Sequence, residues 1–269
     1  MKMVVNMIDK KEFLLQSIIK AYIEHLEPIG STQLKSMYDI TYSPATIRGY
    51  FKKLGEEGYL AQEHISSGRT PTTEALKQYW QTKLNFKLKG INLRALEYFA
   101  SNIGLSVFIK KEKSDILKNI LNVENRYMIL EFSSFAISVK YSDALYRFLN
   151  DMIGLDLKDI TKVSKDVGAY EVYESINQTL QNSDFQIFNY KEFLNLALNY
   201  DFDEYTINSF LKGQILDELK EGLYFDKLLP ANYIGICNYC KINNEDVKML
   251  VIGELPKDYE YFYEKITTF

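Results

Sequence analysis

The stretch Thr41–Leu60, TYSPATIRGYFKKLGEEGYL, contains the signals for both ends of one helix. Ser43 offers a side-chain oxygen for an N-cap. Pro44 is tolerated at the first helical position because its missing N–H had no partner there. Gly58 can adopt the left-handed conformation that follows a last helical turn. The stretch therefore predicts a helix of ordinary globular length, bounded at both ends.

The two sides of this helix differ in chemistry. Ile47, Phe51 (or Tyr50) and Leu54 recur at spacings of three and four, which predicts a stripe that faces a core. The remaining surface is hydroxyl-bearing near the N-terminus and cationic further along, with Thr46, Arg48, Gly49, Lys52 and Lys53. A helix that enters a DNA major groove needs this mix, because donors near its N-terminus meet base edges while Lys and Arg reach phosphates.

The residues before this helix predict two more helices. Apolar residues from Phe13 to Leu26 recur with helical spacing, and Pro28 and Gly30 then end that helix and turn the chain. We expect Ser31 to cap a short second helix. Three helices of this size, the second and third joined by a brief turn, have the layout of a helix-turn-helix.

The residues after Gly58 predict a hairpin, which in this position is a wing. Residues 59–62 have the composition of a strand, residues 66–68 form a turn cluster, and residues 69–72 can return as a second strand. We expect Arg69 to lie near the tip, where its guanidinium reaches a phosphate or a minor groove. His64 lies on the same hairpin and is a weaker candidate. Another helix follows from Thr72 or Thr73.

The net charge of −4 is unevenly distributed. Residues 1–90 carry 13 Lys and Arg against 9 Asp and Glu, a net charge of +4, and the remainder carries 19 against 27, a net charge of −8. Phosphate binding depends on charge within a Debye length of about 8–10 Å, so the first segment matters more than the total. A charge of +4 predicts weak binding by one copy and stronger binding by two.

Three motifs in the first eighty residues carry a family resemblance. PIGSTQL, YSPATIRGYFKKLGEEGYL and HISSGRTPT occur in this order and spacing, and together they resemble the N-terminal domain of the heat-inducible transcription repressor HrcA family. The resemblance departs within the third helix, where the family usually has Asn and then an acidic residue after the Ile-Arg pair. This chain has Gly49 and Tyr50 there.

The resemblance implies a function and a set of partners. It implies a homodimeric repressor of chaperone operons that binds double-stranded DNA at an inverted-repeat operator called CIRCE. It also implies that the GroEL chaperonin keeps this repressor folded and active. Its DNA-binding residues in this chain would be Ser31, Thr32, Ser43, Ala45, Thr46, Arg48, Gly49, Lys52, Lys53, His64 and Arg69.

The distal part predicts strands, then helices, then strands again. Residues 95–110 predict a helix followed by a strand, and residues 125–140 two strands around a turn at Ser133 and Ser134. Residues 143–188 and 194–224 are helical in pattern. Tyr233–Ile242 and residues 247–253 then predict a hairpin around the polar residues 243–246, followed by a last helix over 259–266.

The predicted fold class is therefore α+β: an N-terminal winged helix-turn-helix, then a mixed sheet domain with a helical insertion. The family resemblance implies that the sheet domain is GAF-like and that the insertion dimerises. The predicted boundaries are residues 1–85 for the DNA-binding domain, 95–142 and 190–269 for the GAF-like domain, and 143–189 for the inserted dimerisation segment.

Nothing in the sequence supports an enzyme. Cys237 and Cys240 form a lone CxxC with no second pair, and strand alternation would send them to opposite faces. Motifs of nucleotide-binding, hydrolase and zinc-protease sites are absent, so we expect no cofactor and no metal. No secretory leader is visible and no run approaches about 18 apolar residues, so we expect a cytoplasmic protein without stable membrane association.

Two alternatives stay open. The chain could be a winged-helix regulator gated by a small ligand in the distal domain, since sheet domains of this kind host many unrelated functions. It could also be a protein-interaction module that does not bind DNA, because winged helices serve that role too.

Overall fold

The structure is a computed structural model that describes residues 10–64, 67–84, 90–111, 115–181 and 185–268. The chain forms two compact units. The first comprises Met1–Phe108, Ile187–Asn244 and Lys248–Phe269, and the second comprises Ile109–Gln186 and Glu245–Val247.

The first unit begins with three helices and a two-stranded antiparallel sheet. In chain order these are α1 (Lys10–His25), α2 (Ser31–Met37), α3 (Pro44–Glu56), β1 (Leu60–Ala61) and β2 (Thr70–Pro71), followed by α4 (Thr73–Lys83). They enclose one core that includes Leu14, Ile18, Leu34, Ile47, Phe51 and Leu54. The apolar stripe predicted for α3 is therefore confirmed.

The link between α1 and α2 is held beside the hairpin. Ile29 and Arg69 exchange both backbone hydrogen bonds, each 2.9 Å long, and thus form a bridge next to β2. Gly68 makes this approach possible, because a Cβ there would lie 2.6 Å from the carbonyl carbon and oxygen of Pro28. Glycine is the residue that allows backbones to come this close.

The remaining elements alternate between strands and helices. In chain order they are β3 (Gly90–Ile91), α5 (Leu93–Ile103), β4 (Ser106–Lys111), β5 (Leu117–Val123), β6 (Tyr127–Phe132), β7 (Ala136–Lys140), α6 (Asp143–Asn150), α7 (Leu157–Asp166), α8 (Tyr170–Gln181), β8 (Phe185–Phe188), α9 (Tyr190–Asn199), α10 (Glu204–Leu211), α11 (Ile215–Glu218), β9 (Gly222–Tyr224), β10 (Tyr233–Ile242), β11 (Glu245–Glu254), α12 (Tyr259–Ile266) and β12 (Thr267–Thr268).

Among the described residues, seven strands form a mixed sheet in the order β12-β3-β10-β11-β4-β8, with β9 also paired to β10. β3 runs parallel to β10, whereas β9 is antiparallel to it. The hairpin predicted between β10 and β11 is confirmed. Its turn is shorter than expected, because Asn243 and Asn244 both adopt positive φ and Glu245 already belongs to β11. This mixed α+β architecture fits a GAF-like domain.

Helix α4 is anchored on the C-terminal segment of the same unit. The buried Trp80 donates from its Nε1 to the carbonyl oxygen of Leu255 at 2.8 Å, and its ring meets Tyr259 edge to face at 5.1 Å between centroids. The nearly buried Lys77 forms an ion pair with Asp226 at 2.6 Å. The helix that follows the hairpin is thus fixed by both a buried aromatic side chain and an ion pair.

In the second unit a three-stranded antiparallel sheet, β5-β6-β7, shares a core with α6, α7 and α8. The turn between β6 and β7 falls at Ser133 and Ser134, as predicted. The sequence-based boundary starts the insertion at residue 143, whereas the second unit begins at Ile109. The reason is that β5 to β7 pack against these helices: Met128 and Val139 are in the same core as Ile160 and Val172.

Three local predictions were wrong. Ser31 does not cap α2. The N-cap residue is Gly30, whose backbone N–H donates a hydrogen bond to the Gln33 side chain at 3.3 Å. Phe185–Phe188 and Gly222–Tyr224 are strands rather than parts of helices. Strands this short take their hydrogen bonds from distant residues, which local periodicity does not reveal.

Candidate nucleic-acid interface

The N-terminus of α3 is capped as the sequence predicts. Ser43 is in an extended conformation, and its Oγ accepts a hydrogen bond from the backbone N–H of Thr46 at 3.1 Å. The two hydroxyls also share a hydrogen bond of 2.9 Å. At the other end Gly58 has a φ of +82°, and the N–H of Tyr59 bonds back to Leu54 at 2.9 Å. Both ends are therefore fixed by local chemistry.

The side of α3 opposite its core stripe is exposed. Successive residues are about 100° apart around a helix, so positions 45, 49 and 52 lie diametrically across from Ile47 and Leu54. The exposed predicted residues on this helix are Ala45, Thr46, Arg48, Gly49, Lys52 and Lys53. They form one continuous surface, which we call the α3 face.

The cations of the α3 face are weakly engaged within the protein. Lys52 Nζ lies 3.9 Å from Glu56, and these side chains are 77% and 64% exposed. An exposed pair of this kind contributes about 0–1 kcal/mol, so it does not hold the lysine in place. Lys53 Nζ lies 5.8 Å from the centre of the Tyr50 ring. Nearby Glu57 is paired with Lys11 at 2.9 Å, which offsets its negative charge.

Arg48 is tied to the second helix. Its Nη1 donates to the Oγ of Ser31 at 3.3 Å. Ser31 is itself only 8% exposed, so it is placed behind Arg48 rather than on the surface, whereas its neighbour Thr32 is exposed. No local pattern in the sequence indicates this pairing, because the two residues are 17 positions apart. From the sequence, the Ser31 hydroxyl at the predicted start of α2 indicated only an N-cap.

The two predicted residues of the hairpin, His64 and Arg69, differ in exposure. His64 is exposed, and its backbone bonds to the Ser67 side chain. Arg69 was expected near the tip. Its backbone instead pairs with Ile29, and its Nη1 is buried without a hydrogen-bond partner among the described residues. The hairpin thus brings Arg69 back against the link between α1 and α2, with part of its guanidinium enclosed.

The two cysteines lie apart from this surface, on β10. Both are buried, and burial raises the pKa of Cys237 to about 11 and that of Cys240 to about 12. Thiols with such pKa values are protonated at neutral pH, so neither cysteine is a reactive thiolate. Within the described ranges no cluster of three or more His, Cys, Asp and Glu residues is suited to hold a metal ion.

None of the described helices has the length and apolar character needed to cross a bilayer.

The chain is similar to known proteins over nearly all of its length. The family model described as the HrcA C-terminal domain matches residues 80–269. The heat-inducible transcription repressor HrcA of Helicobacter pylori strain J99 is 31% identical over 264 residues, which cover 97% of this chain and 95% of that protein. The protein of that name from strain 26695 matches with the same identity and coverage.

A further relative is the heat-inducible transcription repressor HrcA of Chlorobium phaeobacteroides, which is 29% identical over 71% of this chain and 53% of its own length. Among solved structures, a crystal structure described as a hypothetical protein aligns over 96% of this chain and 95% of its own, with 18% identity and a TM-score of 0.48.

Proposed function

The chain belongs to the HrcA family of heat-inducible transcription repressors, and we propose that it represses chaperone operons by binding double-stranded operator DNA as a homodimer. The proposal takes the three helices and hairpin of residues 10–83 to be a winged helix-turn-helix. Its activity is binding rather than catalysis.

The observation that carries the proposal is the α3 face. It combines the hydroxyl of Thr46 near the helix N-terminus with cations further along, and all of its members are exposed. A helix with its side chains is about 10–12 Å across, and the DNA major groove is about 12 Å wide, so such a helix fits. In the proposed complex Thr46 and Arg48 meet base edges, while Lys52 and Lys53 meet phosphates.

The residues around α3 supply positioning contacts in this proposal. Ser43 and Ala45 lie at the start of α3, and Thr32 lies exposed at the start of α2, all facing the flanking backbone of the duplex. Ser31 contributes indirectly, because its hydroxyl accepts the hydrogen bond that restrains Arg48. His64 and Arg69 on the hairpin grip the backbone beside the groove.

Two copies are needed for a specific complex. The charge of residues 1–90 is only +4, so a second copy doubles the electrostatic attraction to phosphates. A two-fold dimer matches an inverted-repeat operator of the CIRCE type, with half-sites about 34–36 Å or a multiple of that distance apart. We propose that the helical insertion, assigned to residues 143–189 from the sequence, contributes to the dimer contact. A monomeric mass by light scattering at micromolar concentration would contradict the two-fold arrangement.

The GroEL chaperonin is proposed as the partner that maintains the active form. Heat diverts the chaperonin to other clients, and the repressor then loses its folded state. A change of one or two kcal/mol alters the folded fraction several-fold, so a protein of marginal stability can respond to temperature in this way. Addition of purified chaperonin should then raise the fraction of chain that binds DNA after a heat pulse.

The experiment that tests the proposal is a selection of bound genomic fragments with the full chain, followed by titration of the enriched duplex. The variant Lys52→Ala/Lys53→Ala should weaken binding to that duplex. Lys191→Ala/Lys212→Ala removes two exposed cations that lie outside both residues 10–83 and the proposed dimer segment, so it is the matched control and should bind as the wild type does. Failure to enrich any duplex would favour the non-DNA interaction module.

A cleft in the first unit is the observation that supports the alternative of a regulator gated by a small ligand. It has a volume of about 240 Å³ and is lined by Glu192, Asn195, Tyr233, Glu254 and Lys257, among others. This volume lies below the roughly 300–1,000 Å³ of most ligand pockets. A second cleft of about 620 Å³, lined by Arg94, Lys241 and Asn243 among others, lies within that range, so family membership and not cleft size ranks this alternative second. Thermal stabilisation by a small molecule, without any effect of chaperonin, would favour it.

A further inference from the structure

Gly49 occupies the middle of the α3 face, where its lack of a side chain has no cause in the described part of the chain. Glycine in a helix interior is destabilising relative to alanine, because it loses more backbone freedom on folding. A Cβ added at Gly49 would meet no described heavy atom within 4 Å. The residue lies within the regular part of α3, and its φ is not positive.

Two other glycines of the same region differ from it. Gly58 has a φ of +82°, which other residues rarely adopt, and Gly68 presses against the backbone of Pro28. Each of these positions requires glycine for a reason visible in the fold. The described residues hold no such reason at Gly49, and the chemistry of the surface around it indicates the kind of partner that it fits.

The residues around Gly49 point to a polyanion. Arg48, Lys52 and Lys53 flank it, all are exposed, and no carboxylate lies within the four residues on either side in sequence. A surface with this charge attracts phosphates, and the missing side chain lets the helix backbone approach its partner more closely. Close approach matters in a major groove, whose width of about 12 Å barely exceeds the diameter of a helix with its side chains.

We propose that Gly49 is a specificity-determining position: its missing side chain lets α3 lie deep enough in the major groove for the short side chains beside it to reach base edges. This inference rests on the proposed function and explains why a glycine occupies the middle of the α3 face. Thr46 is a short side chain, and its reach is lost when the helix is lifted. The lysines are long and flexible, so their phosphate contacts survive the same displacement.

The test compares Gly49→Ala and Gly49→Gln with Gly55→Ala in the full chain. Alanine and glutamine both favour a helix, so neither should unfold α3. Gly55 lies in the last turn of α3, where an added Cβ makes only an ordinary contact of 3.6 Å with the carbonyl oxygen of Leu60. The readouts are thermal unfolding and titration by fluorescence anisotropy of the selected duplex and of a random duplex at one salt concentration.

We expect both alanine variants to raise Tm by roughly 2–4 °C, since each removes a helix glycine. Gly49→Ala should weaken binding of the selected duplex about fivefold, and Gly49→Gln more, because the lifted helix loses the hydrogen bond of a short hydroxyl, which is worth about that factor. Binding of random duplex should change by less than about twofold in both, since phosphate contacts dominate there. Gly55→Ala should bind the selected duplex as the wild type does.

Two outcomes overturn the inference, and they are distinguishable. If the wild-type chain prefers no duplex, the proposed function fails and the inference fails with it. If the wild-type chain prefers the selected duplex and Gly49→Ala and Gly49→Gln bind it within about twofold of wild type, only the inference fails, because a buried base contact is worth more than that.

Discussion

The buried hydroxyl of Ser31 accepts a hydrogen bond from Nη1 of the exposed Arg48 at 3.3 Å. This bond joins the first turn of α2 to the middle of α3, so the guanidinium is held at one of its nitrogens. A long side chain that is already restrained loses less rotamer freedom when it binds. Arg48 is thus pre-positioned for the groove that α3 is proposed to enter.

The first prediction concerns the contact that Arg48 makes. Arg48→Ala should weaken binding of the selected duplex by about 1–3 kcal/mol, the usual worth of a bidentate base contact. Binding of random duplex should fall less, because other cations still reach the phosphates. Gel-shift titration of both duplexes measures the difference.

Ser31→Ala is the control for the tether. It leaves the guanidinium in place but removes the acceptor that restrains it, so we expect a smaller loss on the selected duplex than with Arg48→Ala. Unchanged affinity of Arg48→Ala would contradict a base contact. An equal loss in both variants would mean that Ser31 acts through more than this bond.

The second prediction separates two roles of Arg69. Its Nη1 is buried without a partner among the described residues, which costs free energy in the unbound chain. Methionine keeps the unbranched apolar stem of the side chain and has no donor, so Arg69→Met should leave the free energy of unfolding unchanged or raise it by about 1 kcal/mol. If Arg69 contacts the DNA backbone, the same variant weakens binding of selected and random duplex alike and flattens the salt dependence. A loss confined to the selected duplex would contradict the backbone role.

The third prediction concerns the close approach at Gly68. Gly68→Ala puts a Cβ 2.6 Å from backbone atoms of Pro28, and backbone cannot yield as a flexible side chain does. We expect a loss of about 1–3 kcal/mol in stability from overpacking, together with a displaced hairpin and weaker DNA binding. Urea unfolding measures the stability change. Gly55→Ala, which adds a Cβ where there is room, should show neither effect.

The sequence predicted well those features whose cause lies within a few residues. The cap at Ser43, the left-handed turn at Gly58 and the hairpin turn at Asn243 and Asn244 each follow from one residue's backbone or hydrogen-bonding chemistry. The exposed surface of α3 follows from helical periodicity once its ends are known. These features include most of the candidate site.

The features that sequence reasoning missed depend on distant partners. Ser31 was predicted to be a cap, yet a shift of one residue makes Gly30 the cap and sends the hydroxyl to Arg48. Arg69 was predicted to be a free cation at a tip, yet its backbone pairs with Ile29, 40 positions earlier in the chain. Neither partner leaves a local pattern, because the contact exists only after α1, α2 and the hairpin have packed.

Asp115 is a further residue whose role no sequence pattern indicates. It is only 5% exposed, and its carboxylate accepts from the backbone N–H groups of Ser133 and Ser134 at 2.6 and 2.9 Å. The Ser134 hydroxyl and the N–H of Ile116 complete the set at 2.5 and 2.8 Å. One side chain thus holds the turn between β6 and β7 from outside the hairpin.

The fourth prediction follows from this carboxylate. The substitution Asp115→Asn replaces one acceptor oxygen with an NH₂ group, so a donor would face the donors of the turn. We expect the second unit to lose about 1–3 kcal/mol of stability at neutral pH. Hydrogen exchange of the β6 and β7 amides measures this loss locally. Asp166→Asn, at an exposed position of α7 in the same unit, is the control and should exchange as the wild type does.

The pH dependence gives the same prediction a second test. Burial alone would raise the pKa of Asp115, but the hydrogen bonds from Ser134 and Ser133 outweigh it and hold the pKa below its ordinary value. A carboxyl whose pKa is lower in the folded state stabilises fully above its unfolded pKa of about 3.9, and that contribution is lost as the pH falls through the folded pKa. The difference in protection between wild type and Asp115→Asn should therefore stay constant from neutral pH down to about pH 5 and shrink below about pH 4. A difference that persists unchanged at about pH 3 would mean that the loss comes from the NH₂ group of asparagine and not from the missing charge.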